Sequence, residues 1–342
     1  MPPEARFDPE TFTFRDFHPD VSLGTASDRY AGWIGQIYSE DRYSNQVKSR
    51  KNRVGGQSFV ERVLPIESVQ EYFEHFGVLE LDFTFYRLLS ETDGGPTQNY
   101  HVLQQYRRYL GEDDPLILKV PQIIFAQKLR RRGEFLENPD YLNPEIFTRH
   151  FYEPAVELLG EHIRGFVFEQ EYQRKKDRSS PERTADDLDR FFESIPRDDR
   201  YHIELRTESL LAAPVFEVMK RHGVGQVLSH WTWLPSLRRQ FRLSGNAFMN
   251  RGGNSILRLL TPRGMRYEEA YAKAHPFDRL VEGMVNPQMI EDTAALIGQA
   301  IQQKARINVI VNNRAGGNAP LIARQIVSRF EGSSSTGQHI LI

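Results

Sequence analysis

Eight short β-rich runs alternate with polar loops and longer amphipathic stretches, and no other feature restricts the fold as strongly. The runs are Val21–Thr25, Val78–Phe83, Leu116–Val120, Gly165–Glu169, Tyr201–Arg206, Val224–His230, Ser255–Leu260 and Ile307–Asn312. Between them lie helical stretches such as Glu67–Phe76, Thr97–Leu110, Pro144–Leu159, Thr184–Ser194, Ser209–His222, Pro287–Gln303 and Ala319–Phe330. Their apolar residues recur at three- and four-residue spacing, as in helices packed on a sheet. Strands alternating with helices make a parallel sheet, and eight such units predict closure into an α/β (β/α)8 TIM-type barrel. A length of 342 residues suits one such barrel. An open doubly wound sheet is the alternative, but neither G-x-G-x-x-G nor G-x-x-x-x-G-K-[ST] occurs. The expected organisation is an N-terminal extension over 1–20, one barrel domain over 21–330 and a Ser- and Gly-rich, disordered tail over 331–342.

Composition narrows the chemistry. With 44 Lys+Arg against 46 Asp+Glu, a net charge of -2 gives no general attraction to nucleic acid or to an acidic membrane. Cysteine is absent, which removes disulfides, thiolate metal sites and Cys nucleophiles. The N-terminal stretch lacks a basic region followed by an apolar run, and no segment approaches the roughly 18 apolar residues of a membrane span. The expected location is the cytoplasm. Two connections are long for a compact domain. Ser44–Pro65 carries Lys48, Arg50, Lys51 and Arg53 before Gly55-Gly56, and Ala126–Asn143 carries Lys128 and Arg130–Arg132. Both read as lids or as surface decoration.

Within a barrel, alternate residues of each strand face the interior. The helix-facing set must be apolar, so the polar alternates point inward. Tyr201, Ile203 and Leu205 face the helices, which turns His202, Glu204 and Arg206 inward. The same count turns in Glu80 and Asp82 from the second strand, Lys119 from the third and Glu169 from the fourth. It also turns in Arg258 from the seventh, and Asn308 and Asn312 from the eighth. Such an interior is far more charged than the Val, Ile and Leu usual in barrels. It reads either as an ion-pair plug or as a polar pocket at the C-terminal mouth, where barrel enzymes place their sites. The position of these residues near strand C-termini favours the pocket. His202 lies deeper and reads as a core histidine. After the eighth strand, Asn312-Asn313-Arg314-Ala315-Gly316-Gly317-Asn318 leads into a helix. Gly316, Gly317 and Arg314 are expected to hold an anion at the helix N-terminus, with an ordinary tight turn as the alternative.

Several of these segments carry a family likeness. Gly24-Thr25-Ala26-Ser27 followed by Trp33 and Tyr38, the stretch Glu80-Leu81-Asp82-Phe83-Thr84-Phe85-Tyr86-Arg87, Lys119-Val120-Pro121, Glu204-Leu205-Arg206, and Asn312-Asn313 with Gly316 and Ala319-Pro320 occur in order from about residue 22 to 330. Together they resemble the YecE-like family, domain of unknown function 72. The resemblance implies a TIM-type barrel and supplies no established reaction. Phe125-Ala126 stand where that family commonly has Thr-His. Glu169-Gln170-Glu171-Tyr172 replace Gln-Leu-Pro-Pro, and Arg258-Leu259-Leu260 lack a His, so the chain resembles a divergent member.

The residues point to an enzyme acting on a small, polar, anionic metabolite such as a sugar phosphate or hydroxy acid. Glu80, Lys119 and Glu204 are the candidate catalytic residues, the two glutamates as general acid and base. Asp82, Glu169, Arg206, Arg258, Asn312, Arg314, Gly316 and Gly317 are the candidate binding residues. No cofactor and no metal is expected. One alternative is a metal-dependent hydrolase or isomerase with Mg or Mn on Glu80, Asp82, Glu169 and Glu204. The other is a non-catalytic ligand- or partner-binding barrel, for which loss of the histidines and the Trp231-Thr232-Trp233 cluster speak. Nucleic acid usually engages a wider basic face than these loops offer.

Overall fold

The structure, a computed structural model, describes residues 12–131 and 133–335. Residues 1–11 of the expected extension, Arg132 of the second basic loop and residues 336–342 of the expected tail lie outside the described residues. Eight parallel strands close into a barrel: β1 (Val21–Ala26), β2 (Val78–Leu81), β3 (Leu116–Lys119), β4 (Ile163–Glu169), β5 (Tyr201–Glu204), β6 (Gly225–His230), β7 (Asn254–Leu259) and β8 (Arg306–Val311). Each strand pairs with its neighbours in sequence, and β1 closes the ring against β8. The fold is thus a (β/α)8 TIM-type barrel, at the places in sequence where the alternation predicts it.

The inside-outside count holds strand by strand. Leu79, Leu81, Leu116, Leu118, Phe166, Phe168, Ile203, Leu257, Leu259, Val309 and Val311 belong to the large core between strands and helices. A separate, smaller cluster fills the barrel itself: Ala26, Val78, Ile117, Val167, Val227, Ile256 and Ile310, one from every strand but the fifth. On β5 the place is taken by His202, fully buried, whose ring bonds the carbonyls of Arg200 (2.9 Å) and Asn254 (3.1 Å). Burial lowers its pKa against the pull of the two carbonyls, and it is the core histidine that its depth in the strand predicts.

Departures from the expected elements have local causes. The long connections are not loops but antiparallel hairpins, Lys48–Val54 with Gln57–Val63 and Lys128–Arg131 with Glu134–Glu137. Gly55 and Gly56, at φ 59° and 87°, make the two-residue turn of the first, as a hairpin of that length requires. The first hairpin docks on helix Tyr267–Ala274 through a Tyr271–Glu61 hydrogen bond and an edge-on Phe59–Tyr271 contact at 5.0 Å. That helix and Leu237–Leu243 are additions to the helical stretches named from sequence. Helix Pro144–Leu159 contains a π turn over Thr148–Tyr152, just before Pro154. Pro154 has no N–H to return to His150, and the freed His150 carbonyl accepts the amides of Leu89 (2.9 Å) and Ser90 (3.2 Å) instead. The last helix continues to Ser335, so the first five residues of the expected tail are helical. Residues 12–20 lie against the barrel: Phe14 is buried on Phe76, and Arg15 pairs with Asp114 at 2.8 Å. No described helix is long and apolar enough to cross a membrane.

The narrowest approach in the sheet is at Gly24, where a Cβ would stand 1.9 Å from the Val78 carbonyl oxygen. Gly24→Ala is therefore expected to lose about 1–3 kcal/mol of stability, the usual penalty of overpacking. Equilibrium urea unfolding beside the parent measures it. An unchanged midpoint would contradict so close a β1–β2 contact.

Candidate functional site

At the C-terminal end of the barrel the inward charged residues meet around one guanidinium. Arg258, on β7, is 1% exposed. Its Nη1 donates to Glu169 Oε2 (3.0 Å) and to Glu204, and its Nη2 donates to Glu80 Oε1 (2.7 Å). Lys119 approaches Glu169 Oε2 at 2.6 Å and Asp82 Oδ1 at 3.5 Å. Arg206 binds Glu169 Oε1 at 2.7 Å and Glu204 Oε2 at 3.2 Å. Ser229, on β6, donates to Glu204 Oε1. The structure thus brings together Glu80, Asp82, Lys119, Glu169, Glu204, Arg206 and Arg258 from five βα units.

Burial divides this cluster into two tiers. Glu80, Glu204 and Arg258 are sealed, while Asp82 and Arg206 keep 26% and 16% of their side chains exposed toward the mouth. Asp82 owes its position to the end of β2: the strand stops at Leu81, and a 3-10 turn over Asp82–Tyr86 carries the carboxylate up and outward. The sealed tier is the ion-pair plug, and Asp82 and Arg206 form its partly exposed upper edge.

Four carboxylates face three cations here, an imbalance that a low-dielectric interior does not tolerate. The protonation states resolve it. Burial pushes Glu80 up to about 7, against the pull of Arg258. Burial works the same way on Asp82 and Glu169, but Lys119 and Arg258 at Asp82 overcome it and lower its carboxyl, and Arg206 with Lys119 hold Glu169 well below the usual carboxylate range. Near neutrality Asp82 and Glu169 are thus held ionised beside the cations, and Glu80 is the acid poised to carry a proton. Burial alone would lower Lys119, but Glu169 and Asp82 raise it above its ordinary value, so its amine stays protonated and is no Schiff-base nucleophile.

Glu204 does not fit the acid-base role expected for it. Both of its oxygens are occupied, by Arg258, Arg206 and Ser229, whereas Glu80, equally sealed, keeps Oε2 without a partner. It positions the two arginines. Ser229 was not singled out from sequence, although the count applied to β6 turns it inward with Val227.

The loop after β8 differs more. The amides of Gly316 and Gly317 both donate to the Asn313 carbonyl, at 3.2 and 2.6 Å. The Arg314 amide bonds Asn312 Oδ1 and the Ala319 amide bonds Asn313 Oδ1. These groups are committed within the loop, and both glycines are buried. Gly317 has φ 109°, and a Cβ there would lie 2.3 Å from the Arg279 carbonyl oxygen. The glycines serve a tight turn packed under residues 279–285, not an anion. Arg314 stays near the site: its guanidinium lies 4.4 Å over the Tyr267 ring and within electrostatic range of Asp82. Asn312 is buried where β8 ends, its amide on the Leu259 carbonyl.

Aromatic rings wall the mouth. Lys119 lies 4.1 Å from the Phe85 ring and Arg206 5.0 Å from Trp231. Tyr172 continues the wall to Trp231 (6.0 Å) and Trp233 (5.7 Å). Trp231, Trp233, Tyr172 and Tyr267 border a cleft of about 720 Å3, together with Arg174, Lys176 and Arg266. Tyr267 carried no signal in the sequence, because it reaches the mouth from the additional helix after β7. Among the described residues no group of acids and histidines has the arrangement of a metal site.

Two outcomes follow from the charge balance. Arg258→Met leaves Glu80, Glu169 and Glu204 without their shared partner and should lose about 3–5 kcal/mol of stability in denaturant titration. Glu80→Gln should show a pH-dependent gain. The Glu80 value is raised from 4.5 to about 7 on folding, so the folded parent holds a proton that the unfolded chain has released. Parent stability relative to Glu80→Gln should therefore fall as pH rises through that window, and unfolding midpoints near its two ends measure this. A constant difference would show that Glu80 ionises normally.

Among the solved structures that share the fold are two family relatives. A DUF72 family protein from Enterococcus faecalis V583 aligns over 91% of this chain and 95% of its own, at 15% identity and a TM-score of 0.55. A DUF72 family protein from Thermotoga maritima MSB8 aligns over 92% of this chain and 99% of its own, at 16% identity and a TM-score of 0.51. No curated protein matches the sequence. The family model described as protein of unknown function DUF72 matches residues 22–339, and with the closed barrel and the inward charged residues in place, the chain belongs to that family.

Proposed function

We propose that this protein is an enzyme acting on a small anionic metabolite, of the sugar phosphate or hydroxy acid kind, at the C-terminal mouth of the barrel. One observation carries the reading: buried polar atoms of both kinds lack partners around the same cluster. Arg206 Nε, Arg258 Nε, Asn312 Nδ2 and Arg314 Nε are unmatched donors, and Glu80 Oε2 and Asp82 Oδ1 are unmatched acceptors. Buried polar groups in folded proteins are nearly always satisfied, so a set left open in one region of a barrel mouth is a demand for ligand. Donors outnumber acceptors in that set, which favours an anion rich in oxygen.

In this reading Arg206, Lys119 and Arg314 hold the negative charge. Glu80, with its acidity near neutrality, is the general acid, and ionised Asp82 at the rim is the base. Glu169 and Glu204 orient the cations. Trp231 and Tyr172 cover the apolar face of the substrate. A Mg or Mn ion on the same four carboxylates has less support, because Arg258 already occupies the point that a shared ion would take.

The test is thermal melting with phosphorylated pentoses, glycerol phosphate and lactate, each against its neutral counterpart at matched ionic strength. A bound anion at ten times its Kd adds about 1.4 kcal/mol. Stabilisation by one anionic class, lost in Arg206→Gln, is the expected result. Equal responses to anionic and neutral compounds, or an unaltered response in Arg206→Gln, would remove the anionic substrate from consideration.

A further inference from the structure

A second recess lies on the other side of β2. Leu81 and Phe83 line it, whereas the alternating residues Glu80 and Asp82 face the ion cluster. It encloses about 520 Å3 between the loop after β1, the first hairpin, helix Gln98–Tyr109 and the segment 275–278. That volume is in the range of small-molecule sites.

Its polar end is built from adjacent residues of opposite charge. Asp28 is 1% exposed; its Oδ1 accepts the Tyr106 hydroxyl at 2.8 Å, and its Oδ2 is buried with no partner. Burial raises its carboxyl to about 6 in spite of that bond, the mark of an acceptor short of donors. Arg29 donates from Nε to the Leu64 carbonyl at 2.6 Å and sits beside the same Tyr106 hydroxyl. Asp28, Arg29 and Tyr106 all line the recess. Two non-glycine residues on its border, Ser27 at φ 68° and Phe277 at φ 71°, adopt the left-handed conformation. Strain of that kind gathers where a ligand site is held in shape.

A ligand here must offer a donor to Asp28 and an acceptor to Arg29 on neighbouring atoms. A plain amine would leave Arg29 facing a like charge, and a plain carboxylate would meet Asp28. Beyond this pair one stretch of the wall is apolar, with Ile34, Leu81, Phe83 and Val102, while Arg50, Glu61, Arg62, Asn99, His275 and Asp278 line the rest. We infer that the recess is a second ligand site, separate from the barrel mouth, that takes a free α-amino acid with an apolar side chain: Asp28 receives the ammonium, Arg29 the carboxylate, and Leu81, Phe83 and Val102 the side chain.

The probes are L-phenylalanine, phenethylamine, which lacks the carboxylate, and hydrocinnamate, which lacks the ammonium. Each is titrated into the full chain by calorimetry, with melting temperature as a second readout. L-phenylalanine should bind at least about tenfold more tightly than either analogue, since each analogue leaves one of the two charges unpaired. Asp28→Asn should reduce L-phenylalanine to the level of hydrocinnamate. Val102→Trp fills the apolar end without touching the charges and should abolish binding of all three. Arg206→Gln, at the mouth, should leave L-phenylalanine binding unchanged, which keeps this site's test apart from the anionic one. Absence of L-phenylalanine binding, equal affinity for the three probes, or binding retained in Asp28→Asn and Val102→Trp would overturn the inference.

Discussion

A single guanidinium, buried where eight strands converge, sets the terms for the upper half of this barrel. Arg258 cannot lie in a low-dielectric interior without anionic partners, and it takes them from β2, β4 and β5 at once. Those partners are then themselves buried charges, and they recruit Lys119 and Arg206. Each ion is tolerable only because the others are present. The lower half has no such requirement and is filled with Val and Ile in the ordinary manner of barrels.

This interdependence gives the site its asymmetry. The sealed tier of Glu80, Glu204 and Arg258 has almost no freedom to move, so it fixes the orientation of the tier above. Asp82 and Arg206 stand on that base with part of their side chains exposed, and buried Lys119 ties Asp82 to Glu169. Charge arithmetic then separates the acids. Burial raises Glu80, the acid whose cation is shared with two other carboxylates, to about 7, while the cations around Asp82 and Glu169 lower both of theirs. A group poised near neutrality beside firmly ionised neighbours is the arrangement proton transfer requires.

Additions to the barrel shape what surrounds this base. The second hairpin brings Lys128 and Phe135 to the edge of the mouth cleft, and the helix after β7 supplies Tyr267 beneath Arg314. The first hairpin roofs the recess over Asp28 and is held to that same helix through Glu61 and Tyr271. Both cavities are thus bounded by elements that a bare barrel lacks, and the segment between β7 and β8 touches each. Tyr30 lies between them, lining the recess while within electrostatic range of Asp82 and Arg314.

The barrel was legible in the sequence because strands and helices impose different periods on the apolar residues, and a parallel sheet covered on one face by helices must keep them in step. The same alternation named Glu80, Asp82, Lys119, Glu169, Glu204, Arg206 and Arg258 as inward, since a polar residue between two helix-facing leucines has nowhere else to point. It did not reveal which of them would be sealed. Glu204 and Glu80 look alike along the chain, yet one has both oxygens occupied and the other keeps one free. Gly316 and Gly317 looked like an anion loop because glycine marks positive φ and close approach alike. Only the packing of residues 279–285 over them decides that the approach is by the protein's own backbone. The hairpins hid inside charged, loop-like segments, and Asp28 hid as one acid among many. Periodicity is a local property and survives in one dimension; burial, pairing and the state of a proton are set by neighbours distant in sequence, and exist only once the barrel has closed.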